Sequence, residues 1–487
     1  MGVCMRVFVT GATGFIGRAL TLRLLGGRHE VSAWVRAEDR ARNLLGPQVR
    51  LVTASGGQQA LSAEMARADA VVNLAGEPIL GGRWTAQRRQ ALRQSRIDLT
   101  NSIVDAIRQS DRRPAVLVSA SAVGYYGDQG DEVLDEQSAP GDDFLARVCK
   151  EWEQAALRAE EAGVRVFIPR FGIVLGLDGG ALSQMLPPFR FGAGGPIASG
   201  RQRMSWIHVF DLVEIIAAAL EDGRCRGPAN AVALSSVSNR DFARALGRVL
   251  HRPSFVPVPT FALRAMFGEG ASVLTASQNA QPRRLSELGF RWRFENVEAA
   301  LRNILAEDDP EIGPLDANTP KFDNPNGSSY PDKQRPNYLL LHKASVNAPL
   351  GEVFSFFSHP QNLAVMTPAD MRFQITGATP AEMSAGTRIE YKLQVGPLPM
   401  LWRTLIEVWQ PQRLFIDSQE KGPYRCWWHE HHFKPDGAST LMEDRVYFAP
   451  PFGILGAAAG HFLVMPALRR IFRFRAQAMQ LRFRRTS

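Results

Sequence analysis

The N-terminus combines a short apolar strand, a turn of regularly spaced glycines and the start of a helix, over residues 7–17 (VFVTGATGFIG). Gly11 permits the tight turn, Gly14 lets the backbone approach a pyrophosphate, and Gly17 lets the helix pack close to the strand. The helix N-terminus then points at the phosphate groups. This order of elements predicts a dinucleotide pocket. The expected cofactor contacts in the turn are Thr10, Gly11, Thr13, Gly14, Phe15, Ile16 and Gly17.

The end of the second predicted strand bears on the choice between NAD and NADP. An Asp or Glu there binds the ribose 2′-hydroxyl of NAD, whereas this strand is followed by Arg36. A guanidinium favours a 2′-phosphate through charge-assisted contacts. The sequence therefore favours NADP as cofactor and leaves NAD open. Leu74, Ala75 and Gly76 follow the fourth predicted strand, where the backbone is expected to pass the adenine-side ribose.

A chain of 487 residues is too long for a single core, so two or three domains are expected. Strand and helix patterns alternate through residues 1–305, which predicts a doubly wound parallel sheet of the Rossmann type. A smaller substrate lobe is expected mainly over 170–305. Residues 306–337 are rich in Pro, Asp, Asn and Gly and have no apolar period, which indicates a linker. Residues 338–487 predict a separate α+β domain with an antiparallel sheet and a long closing helix.

Composition places the chain among ordinary globular proteins, with 45% hydrophobic and 22% charged residues. The four cysteines are scattered, as expected for reduced thiols, and the N-terminus shows no signal-peptide pattern, so a cytoplasmic location is expected. Seven arginines crowd residues 469–485. They predict a solvated helix face, with weak contact to an anionic membrane surface as the alternative. Aromatic and basic residues are not interleaved as they are on a nucleic-acid-binding sheet, so no nucleic-acid binding is expected. The sequence leaves the oligomeric state undefined.

Four more segments carry a family resemblance, at residues 73–78 (NLAGEP), 119–127 (SASAVGYYG), 170–176 (RFGIVLG) and 205–211 (SWIHVFD). Together with the glycine turn they resemble the extended short-chain dehydrogenase/reductase group, in particular its NAD-dependent epimerase/dehydratase-like branch. Residues 281–285 (QPRRL) resemble that branch's C-terminal extension, expected over about 255–305. The resemblance covers residues 5–305. It implies an oxidoreductase or epimerase that uses NAD(P) and a small-molecule substrate.

The catalytic residues that the resemblance implies are only partly present. The superfamily uses a Ser and a Tyr-x-x-x-Lys pair, in which the tyrosine transfers a proton and the lysine lowers its pKa. Ser121 matches the serine, but Ala146 stands four residues before Lys150, so the pair is missing. Lys150 is nevertheless the only lysine before residue 321 and is kept as a candidate beside the alternative of an ordinary surface residue. Tyr125, or its neighbour Tyr126, is the candidate substitute acid, with packing at the strand end as the alternative.

Two arginines are candidates for the substrate side of the pocket. Arg201 or Arg203 is expected to bind an acidic group such as a diphosphate. For His208, in the Ile-His-Val segment, a structural role is favoured over contact with substrate. Asp142 and Asp143 are expected to cap the helix that begins at Phe144.

The C-terminal region resembles the helix-grip superfamily of lipid and polyketide carriers related to START and Bet v 1 domains. The resemblance implies a curved sheet and a last helix around an apolar cavity that holds a hydrophobic ligand. In residues 426–433 (CWWHEHHF), alternation places Trp427, His429, His431 and Phe433 on one face. Two histidines at this spacing can bind zinc, but no third ligand is evident nearby. Cavity lining or cross-strand hydrogen bonding is therefore expected, and no metal.

Two hypotheses follow for the whole chain. In the first, it is an NADP-using epimerase, dehydratase or reductase of atypical mechanism, in which Ser121 polarises a substrate oxygen and Tyr125 or Lys150 assists. In the second, it holds NADP(H) without turnover, as a sensor or scaffold, while the C-terminal domain presents a lipid-like ligand. The serine and lobe motifs favour the first, and the missing Tyr-x-x-x-Lys pair favours the second.

Overall fold

The computed structural model describes residues 4–80, 82–315, 336–380, 382–395, 398–450 and 464–484. The chain forms two compact units. The first comprises Met1–Ala41 and Gln48–Ala306, and the second comprises Arg42–Pro47 and Glu307–Ser487.

The first unit is built on a parallel sheet with the strand order β12-β8-β5-β4-β1-β2-β3, and β6 pairs with β8. Its central strands are apolar and buried along their whole length, as parallel strands covered by helices on both faces must be. This architecture confirms the predicted Rossmann-type sheet. The strands of the unit are β1 (Arg6–Thr10), β2 (Glu30–Val35), β3 (Arg50–Thr53), β4 (Ala70–Asn73), β5 (Val116–Ser119), β6 (Ser121–Ala122), β7 (Val133–Leu134), β8 (Arg165–Phe171), β9 (Ile173–Leu175), β10 (Arg203–Met204), β11 (Trp206–His208), β12 (Gly227–Ala231), β13 (Val237–Ser238) and β14 (Asn279–Ala280).

Helices lie between these strands in the chain and cover the sheet, and the residues of α2 from Arg42 onward are assigned to the second unit. The helices are α1 (Phe15–Gly26), α2 (Glu38–Leu45), α3 (Gly57–Met65), α4 (Ala86–Gln109), α5 (Phe144–Leu157), α6 (Gly180–Arg190), α7 (Val209–Glu221), α8 (Asn239–Leu250), α9 (Thr260–Phe267), α10 (Ser272–Thr275), α11 (Arg283–Glu287) and α12 (Val297–Leu305). One core cluster joins Phe8, Val71 and Leu117 of the sheet to Ile103 and Ile107 of α4. Burial of these apolar faces, at about 25 cal/mol per Å², is the main force that holds the helices on the sheet.

The second unit is one antiparallel sheet with the strand order β15-β16-β22-β21-β20-β19-β18-β17. Its elements are β15 (Glu311–Pro314), β16 (Tyr338–Val346), α13 (Leu350–Phe357), β17 (Gln374–Ile375), β18 (Arg388–Val395), β19 (Leu398–Gln410), β20 (Leu414–Lys421), β21 (Cys426–Asp436), β22 (Ser439–Ala449) and α14 (Met465–Arg482). Leu468 and Phe472 of α14 pack on Leu340, Val446 and Phe448 of the sheet. The predicted antiparallel sheet with a closing helix is therefore present.

One sequence prediction about the second unit needs correction, and two segments of it lie outside the described residues. Glu311–Pro314, placed in the predicted linker, forms β15 and pairs with β16, so this part of the segment belongs to the sheet. Residues 316–335 of the predicted linker and residues 451–463 are outside the described residues. Within the parts of the chain that the structure describes, no helix is long and apolar enough to cross a membrane.

Candidate functional site

The glycine turn after β1 is crossed closely by the chain that leaves β4. Gly11 has φ +70°, and a Cβ atom on it would lie 2.7 Å from the carbonyl carbon and oxygen of Leu74. A Cβ on Gly17 would lie 2.2 Å from the Gly11 carbonyl oxygen. Distances below about 3 Å exclude any side chain, so both positions require glycine, as expected for a turn that brings helix and strand together.

The start of α1 is suited to an anion. Gly14 is the N-cap residue, its amide donates to the Gly11 carbonyl at 2.9 Å, and among the described residues no side chain caps this end. The amides of Phe15, Ile16 and Gly17 belong to the first helical turn, where backbone donors have no partner within the helix. Thr13 is half-buried beside this turn. A pyrophosphate at this point would accept from these donors and meet the positive end of the helix dipole.

Thr10 has a structural partner of its own. Its hydroxyl donates to Asn73 Oδ1 at 2.6 Å, and Asn73 Nδ2 donates in turn to Thr100 Oγ1 at 2.8 Å. All three side chains are buried. The Thr10 side chain therefore fastens β1 to β4, and a contact of Thr10 with the cofactor stays a prediction.

The adenosine end of the expected pocket lies where β2 and β4 end. The Arg36 side chain is 88% exposed, and its Nη1 lies 3.7 Å from Glu77 Oε1. Leu74 and Ala75 are half-buried, and a Cβ on Gly76 would lie 2.9 Å from the guanidinium carbon of Arg96. The structure thus brings the predicted residues of both strand ends to one edge of the sheet, with an accessible guanidinium on it.

Ser121 belongs to a buried hydrogen-bond network. Its hydroxyl donates to Glu153 Oε1 at 2.7 Å. Arg170 Nε donates to the same oxygen at 2.8 Å, and Arg170 Nη2 donates to Oε2 at 2.8 Å. The Arg170 and Glu153 side chains are only 2% and 6% exposed, so the two charges compensate each other away from water. Ser121 is thereby held in one orientation by a fully paired carboxylate.

The same network fixes Tyr126, one of the two tyrosine candidates. Arg170 Nη1 donates to the Tyr126 hydroxyl at 2.9 Å, and this hydroxyl lies 2.7 Å from Asn230 Oδ1 as donor. Burial raises the pKa of Tyr126 to about 12, so its proton is held at neutral pH. Tyr125 is half-buried, and the guanidinium carbon of Arg170 lies 3.5 Å from its ring centroid. Of the two tyrosines, Tyr125 is the one whose hydroxyl is outside this network.

Lys150 differs in burial from the residue before it. It is exposed on α5, whereas the preceding residue, Cys149, is buried and contacts Ser121 and the backbone of Ala122. Burial raises the pKa of the Cys149 thiol to about 12. The helix therefore presents Cys149 and Glu153, four residues apart, to β6. Lys150 is the next residue after Cys149, and its catalytic role stays a prediction.

The sequence reasoning missed Glu153 and Arg170. Glu153 stands four residues after the buried Cys149, and Arg170 opens the segment RFGIVLG that supplied part of the family resemblance. Position alone gave no reason to pair them, because β5, α5 and β8 meet only in the folded unit. An arginine after the apolar run of β8 was the available signal, since a buried charge requires a partner.

The two arginine candidates for the substrate side lie apart from the Ser121 network. Arg201 is exposed, and Arg203 Nε lies 3.3 Å from Asp131 Oδ1 in an exposed ion pair. Their role in substrate binding stays a prediction. His208 is buried, stacks on Phe294 at 4.0 Å, and accepts a hydrogen bond at Nδ1 from the Phe210 amide at 3.0 Å. Burial lowers its pKa to about 3, which confirms the expected structural role.

The cap predicted for α5 is present. The Asp143 carboxylate accepts from the Ala146 amide at 2.8 Å, the side-chain contact typical of an N-cap residue. Asp142 lies one position before it and is exposed.

The arginines of α14 face acidic groups, which corrects the prediction of a solvated basic face. Arg473 and Arg475 are buried. The ion pairs are Arg470–Asp370 at 2.7 Å, Arg473–Asp309 at 2.5 Å and Arg475–Asp444 at 3.5 Å. Contact of this helix with an anionic membrane surface stays a prediction, now with fewer free charges to support it.

In the second unit the histidines of β21 meet a third potential ligand. The rings of His429 and His431 lie side by side with centroids 3.7 Å apart. Asp417, on the neighbouring strand β20, places Oδ2 2.9 Å from His431 Nε2 and 3.5 Å from His429 Nδ1. The sequence showed no third ligand because Asp417 lies on β20, a different strand from the histidines, and the turn between the two strands separates them in the chain.

The sheet, the glycine turn and the anion-binding helix end together define a dinucleotide-binding protein of the Rossmann class. Residues 7–231 match the model of the NAD dependent epimerase/dehydratase family, and residues 258–304 match a domain of unknown function, DUF1731. The chain belongs to this epimerase family, and its C-terminal extension coincides with the second match.

Two curated relatives and one solved structure illustrate the similarity. An Arabidopsis thaliana protein, the chloroplastic homolog of epimerase family protein SDR39U1, is 45% identical over 62% of this chain and 87% of its own length. Epimerase family protein YfhF of Bacillus subtilis is 36% identical over 62% of this chain and 99% of its own. The crystal structure of human SDR39U1 with NADPH is 38% identical, covers 62% of this chain and 99% of that one, and has a TM-score of 0.56.

Proposed function

We propose that the first unit binds NADP(H) in the glycine turn, with Arg36 receiving the 2′-phosphate. The observation that carries this proposal is that the backbone at Leu74 passes so close to Gly11 that only glycine fits there, next to a helix start that no side chain caps. The human relative, 38% identical, was crystallised with NADPH, which supports the same cofactor here. The exposed Arg36 guanidinium supplies the positive charge that a 2′-phosphate needs and that NAD does not use.

The cofactor preference is tested by reversing the charge at Arg36. Titration of the full chain with NADPH and NADH should give an Arg36→Asp variant whose preference for NADPH falls by at least about tenfold, the equivalent of one charge-assisted hydrogen bond. Arg67→Asp is the matched control, because Arg67 is also exposed but precedes β4. An unchanged NADPH preference in Arg36→Asp would remove the role assigned to this residue.

The function that these features support best is a hydride-transfer reaction of the epimerase, dehydratase or reductase type on a small molecule. Bound NADP(H) would exchange the hydride, and the chain would orient the substrate oxygen and manage its proton. Ser121 begins β6, and Glu153 accepts its proton in a hydrogen bond, so the lone pairs of the Ser121 hydroxyl can accept from a substrate hydroxyl. Tyr125 is the candidate that assists, because the Tyr126 proton is held in the Arg170 network.

A second candidate, NADP(H) binding without turnover, has an observation of its own. The Ser121 hydroxyl donates to a carboxylate that two guanidinium nitrogens already satisfy, and Lys150 is exposed. The two candidates differ in one measurement. Purified protein loaded with NADPH or NADP⁺ is mixed with pools of sugar nucleotides and carbonyl compounds. NADPH absorbance reports net reduction, and chromatography of each pool reports conversion without net change in the cofactor.

A reductase should consume NADPH with one of these pools. An epimerase or dehydratase returns the hydride to its substrate, so it should convert a member of a pool with no net change in NADPH. In either case Ser121→Ala should lower kcat at least about 100-fold without changing the Kd for NADPH. Thr53→Ala, near the end of β3, serves as a control hydroxyl deletion outside the network. Full turnover in Ser121→Ala would exclude the role given to Ser121. Tight NADPH binding with neither NADPH consumption nor substrate conversion in any pool would favour the sensor.

We also propose that the second unit is a helix-grip domain that carries a hydrophobic ligand. The strand order supports this, because the long strand β16, the second of the unit, pairs with the last strand β22, and α13 lies between β16 and β17 in the chain. A closing helix packed on the sheet, as α14 is, completes the arrangement. Mass spectrometry of protein extracted with organic solvent should detect a stoichiometric apolar compound, and its absence from protein purified under native conditions would count against the proposal.

A further inference from the structure

Histidine and carboxylate side chains form one row across four neighbouring strands of the second unit, buried except at the half-buried Asp417. The register pairs His342 with Asp444, Asp444 with His431, and His429 with Asp417. Asp444 is 0% exposed, and His429 and His431 are 6% and 5% exposed. Charged and titratable groups are rarely collected in a sheet interior unless they pair with each other or hold an ion.

The spacing of three of these groups suits a metal ion. Donor atoms of Asp417, His429 and His431 all lie within 4.8 Å of one another. The two distances from Asp417 Oδ2, 2.9 Å to His431 Nε2 and 3.5 Å to His429 Nδ1, lie close to those around a tetrahedral ion. Ligands at about 2.0–2.1 Å from zinc are about 3.3–3.4 Å apart.

The nitrogens on the other side of the two rings already have partners. His429 Nε2 donates to Asp444 Oδ1 at 3.1 Å, which leaves the lone pair on Nδ1, the atom that faces Asp417. His431 Nδ1 lies 2.8 Å from Asp444 Oδ1 and 3.2 Å from Arg475 Nη2. A guanidinium can only donate, so Nδ1 accepts from Arg475 while Nε2 donates to Asp417. When an ion takes the place of the proton on His431 Nε2, Nδ1 is protonated and donates to Asp444, and the Arg475 hydrogen bond to Nδ1 is given up. A carboxylate behind each ligating histidine is the usual support of a metal site.

Charge also favours a cation on the Asp417 side. Among the described groups of this row, Asp417 and Asp444 are two carboxylates, and Arg475 is a single guanidinium that lies 3.5 Å from Asp444 Oδ1. The Asp444 side is therefore occupied by a cationic side chain, and the Asp417 side is not. Phe415 stacks on His431 at 4.0 Å, and this apolar cover strengthens the attraction between a carboxylate and an ion.

We propose that Asp417, His429 and His431 bind one divalent transition-metal ion and leave a coordination position open. Asp444 and Arg475 are positioning residues that orient the two imidazoles. Two histidines and one carboxylate with an open position occur in catalytic zinc sites and in non-haem iron(II) sites. The ligand of the second unit would then meet a Lewis acid in the sheet interior. The proposal does not depend on the cofactor assigned to the first unit.

The test is a competition titration of the full chain with Zn²⁺ against a chromophoric chelator, after resident metal is removed. Wild-type protein should bind one ion per chain, and Asp417→Asn and His429→Gln should lose that binding. Asp444→Asn should weaken it by about 10–100-fold, as removal of an outer partner does. His432→Gln is the matched control, because His432 lies on the same strand but pairs with Glu430, and it should bind as wild type does.

A measurement on wild-type protein alone avoids any folding defect of the variants. X-ray absorption of the Zn²⁺-loaded chain should show two imidazoles and oxygen donors, with no sulfur. Absence of stoichiometric binding to the wild type, sulfur coordination, or wild-type affinity in folded Asp417→Asn and His429→Gln would each overturn the proposal.

Discussion

The buried pair of Glu153 and Arg170 allows a quantitative test of how the site is held together. Glu153 accepts three hydrogen bonds, one from Ser121 and two from Arg170, and both charged side chains are almost completely buried. Glu153→Gln keeps the shape but removes the charge and turns one acceptor into a donor facing Arg170. Removal of one partner from a buried ion pair costs about 3–5 kcal/mol, because the remaining charge is left uncompensated.

Glu151 provides the matched control on the same helix. It lies 2.6 Å from Arg93, but the two side chains are 40% and 47% exposed. Such surface pairs contribute about 0–1 kcal/mol, so Glu151→Gln should change little. The free energy of opening is best read from hydrogen exchange of backbone amides in α5 and β8, measured by mass spectrometry, because it reports on the first unit alone.

The expected result is a fall in opening free energy of at least about 3 kcal/mol in Glu153→Gln, which corresponds to exchange roughly 100-fold faster. Adding Arg170→Met to Glu153→Gln should restore much of the loss, since an apolar pair of similar volume tolerates burial. If Glu153→Gln and Glu151→Gln differ by less than about 1 kcal/mol, the buried charges do not stabilise the site as argued.

Three further outcomes are expected. Gly11→Ala should cost about 1–2 kcal/mol for its left-handed backbone, with a further loss of stability from the clash at Leu74 and loss of NADPH binding. Gly163→Ala, with φ +77° and nothing within 4 Å of its Cβ, should show the backbone cost alone. Equal melting temperatures of the two variants would contradict this. The Arg6 hydrogen bond lowers the pKa of Asp69 to about 2, so the stability it gives is complete above about pH 4 and is lost as the pH falls towards 2. The difference in urea midpoint between wild type and Asp69→Asn should shrink over that range, and a constant difference would refute the assignment. Asp143→Ala should cost about 1 kcal/mol through loss of the α5 cap, measured by the same exchange experiment, and Asp142→Ala should be close to neutral.

The sequence predicted those features of the structure that depend on residues close to one another in the chain. The period of the strands and helices, the Gly11 turn and the cap at Asp143 all involve residues within a few positions of one another, and the structure contains each of them. On α5 the sequence singled out Lys150, whose role stays a prediction. The residues of this helix that contact Ser121 in the structure are Cys149 and Glu153, whose spacing of four keeps both on one side.

The parts of the site that the sequence did not predict are those in which buried polar groups meet across different elements. Glu153 and Arg170 come from a helix and a strand, and Asp417 reaches His429 and His431 from the adjacent strand. Alternation along a strand predicts which side of the sheet a residue occupies. It does not predict which residue of the neighbouring strand lies opposite, because register between strands is set by the whole sheet. In both places, the rule that a buried charge needs a partner indicates that a counter-charge lies nearby, but not which residue it is. For Arg170 the partner is identified by the packing of α5 against β8, and for the histidines by the pairing of β20 with β21. A charged residue inside an apolar strand of such a chain therefore indicates a counter-charge on a neighbouring strand or on the helix that covers it.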